Sequence, residues 1–456
     1  MTGNSRHALI VTAHFPPDRG PATHRVLRFA RHLRSAGWDV TVLTITESAY
    51  RQGTPIDMAL LDRVPPGVRV VRTTVRRPVE RLAAWRARWR KRTSPGAGAS
   101  RDGRATARPV HEAGGVPPRE GFADLLTGVF SLPDRDVGWY GPAISAGRRI
   151  LRSAPVDIIV STAPPFTTHL IARRLSRLGR VPWIADFRDP WSRAPWALVE
   201  RTTSWRGWVH RTLERRVVRD ADRVVLNTGR MRDDFAAHYA DLASSHFEAL
   251  PNGYDRDVLQ AVAGVAPAAA GPARLTHAGT LYGARDPTVL FSALRQLAES
   301  GRLAASPLHV HLLGSVSGGF AARGQVEALG LGDVVSFQKP VPHAEALRLL
   351  GASHALLLFQ QGTDLQVPAK LYEYVGLRRP IIAVAPRPSA VADVVEGTGL
   401  GVVIRPDDVA GLADALERVA AREPLATPDD DAIAGFDGDR LGRRFVALAE
   451  AACREP

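Results

Sequence analysis

Cysteine is nearly absent: Cys453 is the single one in 456 residues. That excludes a disulfide framework and any cysteine-built zinc site, and it fits a reducing cytosol. Long apolar runs are missing too. No stretch approaches the roughly 20 residues a membrane-spanning helix needs, and the run Ala8 to Ala13 is too short for a signal peptide. Lysine is scarce, with only Lys91, Lys339 and Lys370, so 57 of the 60 basic residues are arginine. With many Ala, 40 Gly and 34 Pro, this skew reads as the codon bias of a GC-rich genome.

What is present is an ordinary globular balance, 45% hydrophobic and 23% charged, over a length that suits two domains. The net charge is +14, but it is unevenly spread. Residues 76–108 hold eleven basic and two acidic side chains, a net +9, which leaves +5 for everything else. A uniformly basic nucleic-acid binder is therefore not expected. The segment opens R-R-P-V-E-R-L-A-A-W-R-A-R-W-R-K-R, with Leu82, Trp85 and Trp89 at helical spacing among arginines. A helix there would suit an anionic membrane surface through 76–92; a solvated insertion is the plain alternative. To about residue 121 the composition is that of a flexible Gly/Pro-rich loop.

On either side of it, strands and helices alternate. Ala8–Val11, Val40–Ile45, Val68–Val71, Asp157–Val160, Trp183–Ala185 and Arg223–Leu226 read as strands of a first block. Leu275–Ala278, Val310–Leu313, Val334–Phe337, Ala355–Phe359, Ile381–Val384 and Val402–Ile404 read as strands of a second. The pattern predicts an α/β chain of two doubly wound domains. Their expected bounds are 1–255, with the insertion at 76–121, then a linker at 256–272, a second domain at 273–435 and a C-terminal helix within 436–456 that packs back on one of the two.

Ligands of such sheets sit beyond the carboxyl ends of the strands, so the loops there carry the chemistry. H-F-P-P-D-R-G (14–20) puts Gly20 before a helix N-terminus, although most strand–helix turns hold Gly or Pro for turn geometry alone. S-T-A-P-P-F places Thr162, and D-F-R-D-P-W places Asp186, Arg188 and Asp189, at the ends of two further strands. There an Asp–Arg pair and an N-cap would be the structural explanation. In the second block, H-A-G-T-L-Y-G-A-R-D-P offers Gly279, Thr280 and, six residues after the glycine, Arg285; H-L-L-G-S-V-S-G-G-F offers Gly314. A guanidinium beside a helix N-terminus suits a diphosphate. The fingerprint G-x-G-x-x-G is absent, which disfavours a Rossmann dehydrogenase. V-P-A-K-L-Y-E-Y-V-G-L-R-R-P puts Lys370 and Glu373 three apart, with Tyr372 between them. That spacing makes either a surface pair or a point charge deliberately kept in an arginine-rich chain.

Together these segments resemble the family 4 glycosyltransferases, whose GT-B architecture sets two Rossmann-like domains facing across a cleft. The resemblance implies a nucleotide-sugar donor on the C-terminal half and a glycan or lipid-linked acceptor on the other. Gly20 matches the glycine-bearing first loop near the donor phosphates. Gly279 and Arg285 match a diphosphate-neutralising pattern, and Glu373 matches the second glutamate of E-x7-E, which binds the ribose. Three positions depart from the family: Thr280 replaces its arginine, Leu365 its first glutamate, and Thr162 its histidine. The sequence is similar to a divergent branch carrying P-x-K-x-x-E-Y, in which Lys370 takes over an anion contact.

The resemblance implies retaining transfer in polysaccharide or envelope biosynthesis, in the cytoplasm or at the inner face of the membrane. Arg285 and Lys370 would neutralise the leaving diphosphate, with Gly20, Gly279, Thr280, Gly314, Tyr372 and Glu373 on the donor. Thr162, Asp186 and Arg188 would lie on the acceptor side, and Asp189, the third catalytic residue beside Arg285 and Lys370, would orient the acceptor there. No cofactor or metal is expected, because the Asp-x-Asp pairs 134/136, 255/257 and 437/439 follow no apolar strand. A GT-B sugar-nucleotide epimerase and a non-catalytic binder of anionic lipid are the alternatives.

Overall fold

The computed structural model describes residues 5–51, 53–77, 132–194, 204–317 and 321–454. From residue 78 onward the basic insertion, with its expected membrane helix, lies outside them. Thirteen strands occur among the described residues. The first sheet contains β1 (His7–Val11), β2 (Asp39–Ile45), β3 (Arg69–Thr73), β4 (Ile158–Ala163), β5 (Trp183–Phe187), β6 (Arg223–Leu226) and β7 (Phe247–Ala249). The second contains β8 (Ala273–Ala278), β9 (Leu308–Leu313), β10 (Val335–Gln338), β11 (Ala355–Phe359), β12 (Ile381–Val384) and β13 (Gly401–Ile404). Every strand expected from the apolar runs forms; β7, three residues long and patternless, was not foreseen.

Sheet order is β3-β2-β1-β4-β5-β6-β7 in the first and β10-β9-β8-β11-β12-β13 in the second. Each runs outward in one direction from its first strand and then reverses, the doubly wound order. The reversal falls between β1 and β4 and between β8 and β11, and those pairs are parallel. β1 and β4 are buried along their whole length, as a parallel strand covered on both faces must be. In the second sheet, alternation divides the side chains between two cores. Ala355, Leu357, Phe359, Ile382 and Val384 join the helices Thr288–Glu299 and Val409–Ala420. Leu356, Leu358, Ile381 and Ala383 join Ala369–Leu377 and Ala390–Gly397.

Two compact units emerge. Among the described residues, 5–193, 204–224 and 446–454 make one, and 194 and 225–445 make the other. In the first, the end of the last helix, Gly438–Arg454, brings Glu450 3.8 Å from Arg6 and the Cys453 thiol to the Asp157 carbonyl. Among the described residues no helix is long and apolar enough to cross a membrane.

Candidate functional site

In the first unit, the loop after β1 folds around Asp18, which is 2% exposed. Its carboxylate takes the Gly20 amide (2.8 Å) and faces His14 Nδ1 (2.6 Å). Burial raises the carboxyl's pKa, but the His14 contact and the Gly20 amide outweigh that and leave it below its ordinary value. The Gly20 amide is therefore already committed to Asp18. Gly20 opens the helix Pro21–Ser35 with proline at its first position, a preorganised start.

Arg25, on that helix, reaches the end of β5 and grips Asp186 with two bonds, Nε to Oδ2 at 2.9 Å and NH2 to Oδ1 at 2.7 Å. The side chains are 1% and 0% exposed. Asp186 thus lies beneath the surface, with both carboxyl oxygens bonded to Arg25. Arg188 donates to the Pro164 carbonyl, and burial holds its guanidinium below the usual value against the opposing charges of Asp189 and Asp186. Thr162 is 1% exposed, and its hydroxyl has no hydrogen-bond partner among the described residues. Register places Thr162 opposite Asp186. The structure therefore groups these expected residues at one sheet edge, over an ion pair whose arginine the sequence reading overlooked.

The second unit builds its site from the end of β8. Gly279 sits at φ +139°, and a Cβ there would fall 2.9 Å from Lys370 Nζ. Gly314 sits at φ +145°, where a Cβ would meet the Gly279 carbonyl at 2.1 Å. The two glycines allow the chain ends of β8 and β9 to close and make room for the lysine. Their amides are spent on the sheet, Gly279 to Leu313 and Gly314 to Gln338. Replacing Gly314 by alanine should accordingly cost at least about 2 kcal/mol, from strain plus a backbone collision, read as a lowered midpoint in urea unfolding. An unchanged midpoint would show that this close approach does not constrain the fold.

The helix Ala369–Leu377 begins after Pro368 and stops at Arg378, which is left-handed (φ 55°) and followed closely by Pro380. One turn apart on it, Lys370 and Tyr374 hold the backbone of a single residue, Ala278. Lys370 Nζ donates to the Ala278 carbonyl at 2.9 Å, and the Ala278 amide donates to the Tyr374 hydroxyl at 3.0 Å. Lys370 Nζ also lies 3.2 Å from Nε2 of His277, a residue with no exposure. Burial, and then the nearby Arg285 charge, push the Lys370 pKa well below its ordinary value, with Glu373 opposing. Arg285 lies over the Tyr282 ring at 5.2 Å, and its Nε is buried with no partner. Asp286, next to it, is fixed through its backbone by the Gln361 amide, with both contacts at 2.9 Å.

Among the described residues, neither Arg285 nor Lys370 is paired with a carboxylate. Two half-buried cations with no counter-charge form a place prepared for an anion. Glu373, on the same helix as Lys370, meets Nε2 of His343 from the helix His343–Gly351 through Oε1 at 2.9 Å. Thr280 is half-buried just beyond Gly279. Tyr372, 1% exposed, turns into the core beside Phe436 at 5.5 Å, so Tyr374 is the tyrosine that reaches the β8 end. His277 and Tyr374 had no distinguishing sequence signal beyond lying near the end of an apolar strand and four residues after Lys370, respectively.

Three carboxylates of the Asp-x-Asp pairs, Asp134, Asp136 and Asp437, have other occupations. Asp134 caps the helix Thr167–Gly179 through the Thr167 amide and hydroxyl, both at 2.8 Å. Burial and the Asp136 charge raise its pKa to about 6. Asp136 pairs with Arg51 (2.9 Å) and Arg77 (3.2 Å), and Asp437 pairs with Arg256. No cluster of three metal-ligating side chains occurs among the described residues.

Residues 71–253 match the model of a glycosyl transferase 4-like domain. No curated protein matches the chain. Solved structures with the same fold span nearly its whole length. Anabaena HepE in complex with UDP and glucose has a TM-score of 0.58 at 14% identity, covering 98% of this chain and 100% of that one. The lipopolysaccharide outer core galactosyltransferase WaaB in its apo form has a TM-score of 0.58 at 13%, covering 98% and 99%. Apo OtsA has 0.62 at 13%, again covering 98% and 99%. Residues 71–253 thus match a glycosyl transferase 4-like domain, and the two doubly wound sheets give the chain the GT-B fold.

Proposed function

We propose that the protein transfers a sugar from a nucleoside-diphosphate sugar to a glycan or lipid-linked acceptor, retaining configuration at the anomeric carbon. One observation carries the donor half: Arg285 and Lys370 stand together at the reversal point of the second sheet, and among the described residues neither is paired with a carboxylate. A departing diphosphate supplies the missing charge, and fixed cations stabilise it most as the glycosidic bond breaks. This neutralisation asks for no metal, and Asp134, Asp136 and Asp437 support the same reading because caps and arginines already engage them. Glu373 takes the ribose. HepE, which shares the fold, is named in complex with UDP and glucose, which favours a uridine nucleotide.

On the first unit, Arg188, Asp189 and the Thr162 hydroxyl orient the acceptor above the Arg25–Asp186 pair, which holds the strand end in place. The enzyme works in the cytoplasm, and envelope or polysaccharide synthesis is the setting that suits a lipid-linked acceptor. Thermal stabilisation across a panel of nucleotide-sugars tests the donor assignment. One member should raise the melting temperature of the wild type, and Glu373→Ala should lose most of that rise. A flat panel, or a full shift in the variant, would remove the assignment; product formed without any acceptor would point to hydrolysis or epimerisation instead.

A further inference from the structure

Lys370 does not reach its place unaided. A lysine carries four rotatable bonds and a compact charge, and it loses about as much rotamer freedom as any side chain when fixed. Here its ammonium has two neighbours that accept, the Ala278 carbonyl at 2.9 Å and His277 Nε2 at 3.2 Å. The third N–H remains for a ligand. The His277 ring is itself held: Nδ1 lies 2.9 Å from the Leu357 carbonyl on β11, and Phe359 packs beside it at 5.1 Å. A carbonyl can only accept, so Nδ1 carries the ring proton and Nε2 keeps its lone pair for Lys370.

The groups facing the ring agree with that tautomer. Burial, Lys370 and Arg285 all oppose a positive imidazole, and they outweigh the Leu357 bond that favours one. A protonated ring would lose the lone pair and add a third cation to an uncompensated pair.

We infer that His277 is a positioning residue: a neutral imidazole, fixed by β11, that aims the Lys370 ammonium at the donor diphosphate. This rests on the reading of Lys370 as a diphosphate contact. His277 touches no substrate in this scheme and acts only through the lysine, as the partners of metal-bound histidines act through their ligands.

The test compares UDP, ADP and GDP with their nucleosides by calorimetric titration of the full chain. His277→Leu should weaken the diphosphate that binds best by about tenfold, and leave the nucleoside unchanged. In a Lys370→Met background the same change should cost nothing further, because the group being aimed is gone. His277→Gln, which can present an acceptor near the Nε2 position, should recover most of the affinity. Equal losses for nucleoside and diphosphate, additive losses in the double variant, or no recovery by glutamine in a folded protein would each overturn the inference.

A wild type that binds no diphosphate more tightly than its nucleoside would remove the donor reading instead. In that event His277 is still decided by nitrogen NMR of the ligand-free protein with labelled histidine, assigned through His277→Gln. A neutral Nδ1–H ring between pH 6 and 9 is expected; an Nε2–H ring or an imidazolium would sink the proposal without reference to any ligand.

Discussion

Lys370→Met is expected to lower kcat/KM for nucleotide-sugar turnover by about 10²- to 10³-fold, the usual effect of deleting one fixed group that stabilises transition-state charge. Methionine keeps the length and the apolar stem, so packing against the end of β8 is disturbed little. What disappears is half of an unbalanced pair of cations. If Arg285 alone could neutralise the diphosphate, the loss would stay below tenfold and the shared role would be wrong.

The same substitution has a second signature, in stability. The folded Lys370 pKa lies well below the ordinary 10.5, so protonation of this amine opposes folding. That penalty is absent above pH 10.5, grows as the pH falls through it, and is complete below the lowered folded value. Wild-type stability relative to Lys370→Met should therefore decline as the pH is lowered across that window, followed by urea unfolding at each pH. A difference that stays constant would mean that the lysine is not desolvated in the free protein. Within that window diphosphate binding supplies the counter-charge and should be accompanied by proton uptake.

Asp186→Ala is the change with the largest expected effect on folding. Arg25 would be left with its guanidinium 1% exposed and without its bidentate partner. Breaking one side of a buried pair costs about 3–5 kcal/mol, whereas replacing both sides with apolar groups is often close to neutral. Arg25→Met combined with Asp186→Leu should thus be far more stable than Asp186→Ala alone, measured by urea denaturation of all three variants. A single variant within about 1 kcal/mol of the wild type would show that the pair is not what fixes this strand end.

Twelve of the thirteen described strands could be read from the chain as short apolar or β-branched runs, continuous where, as in β1 and β4, the strand is buried along its whole length. β7 lacked such a run and is a strand only because β6 offers it an edge. The Lys370 segment was legible for a compositional reason: a lysine stands out where arginine is the habit. Arg25 was not legible, since an arginine between the apolar positions of an amphipathic helix looks like a solvent-facing residue until Asp186 is seen to meet it. His277 was hidden in the same way. A histidine at the end of an apolar strand is usually a satisfied core residue, and only the distance to Lys370 tells the two apart. Tyr372 and Tyr374 differ by two residues, which on a helix is half a turn, so only the coordinates decide which of them faces Ala278.

The grip on the Ala278 backbone comes from two side chains four residues apart, one bonded to its carbonyl and the other to its amide. Their separation is set by the helix itself, 1.5 Å per residue. Adding or removing one residue between Lys370 and Tyr374 would rotate one of them about 100° away from the strand, and no change of side chain could restore both contacts. Spacing carries information here in its own right: this stretch should tolerate substitutions long before it tolerates a change of length, and any relative in which the interval differs must hold the end of β8 by some other means.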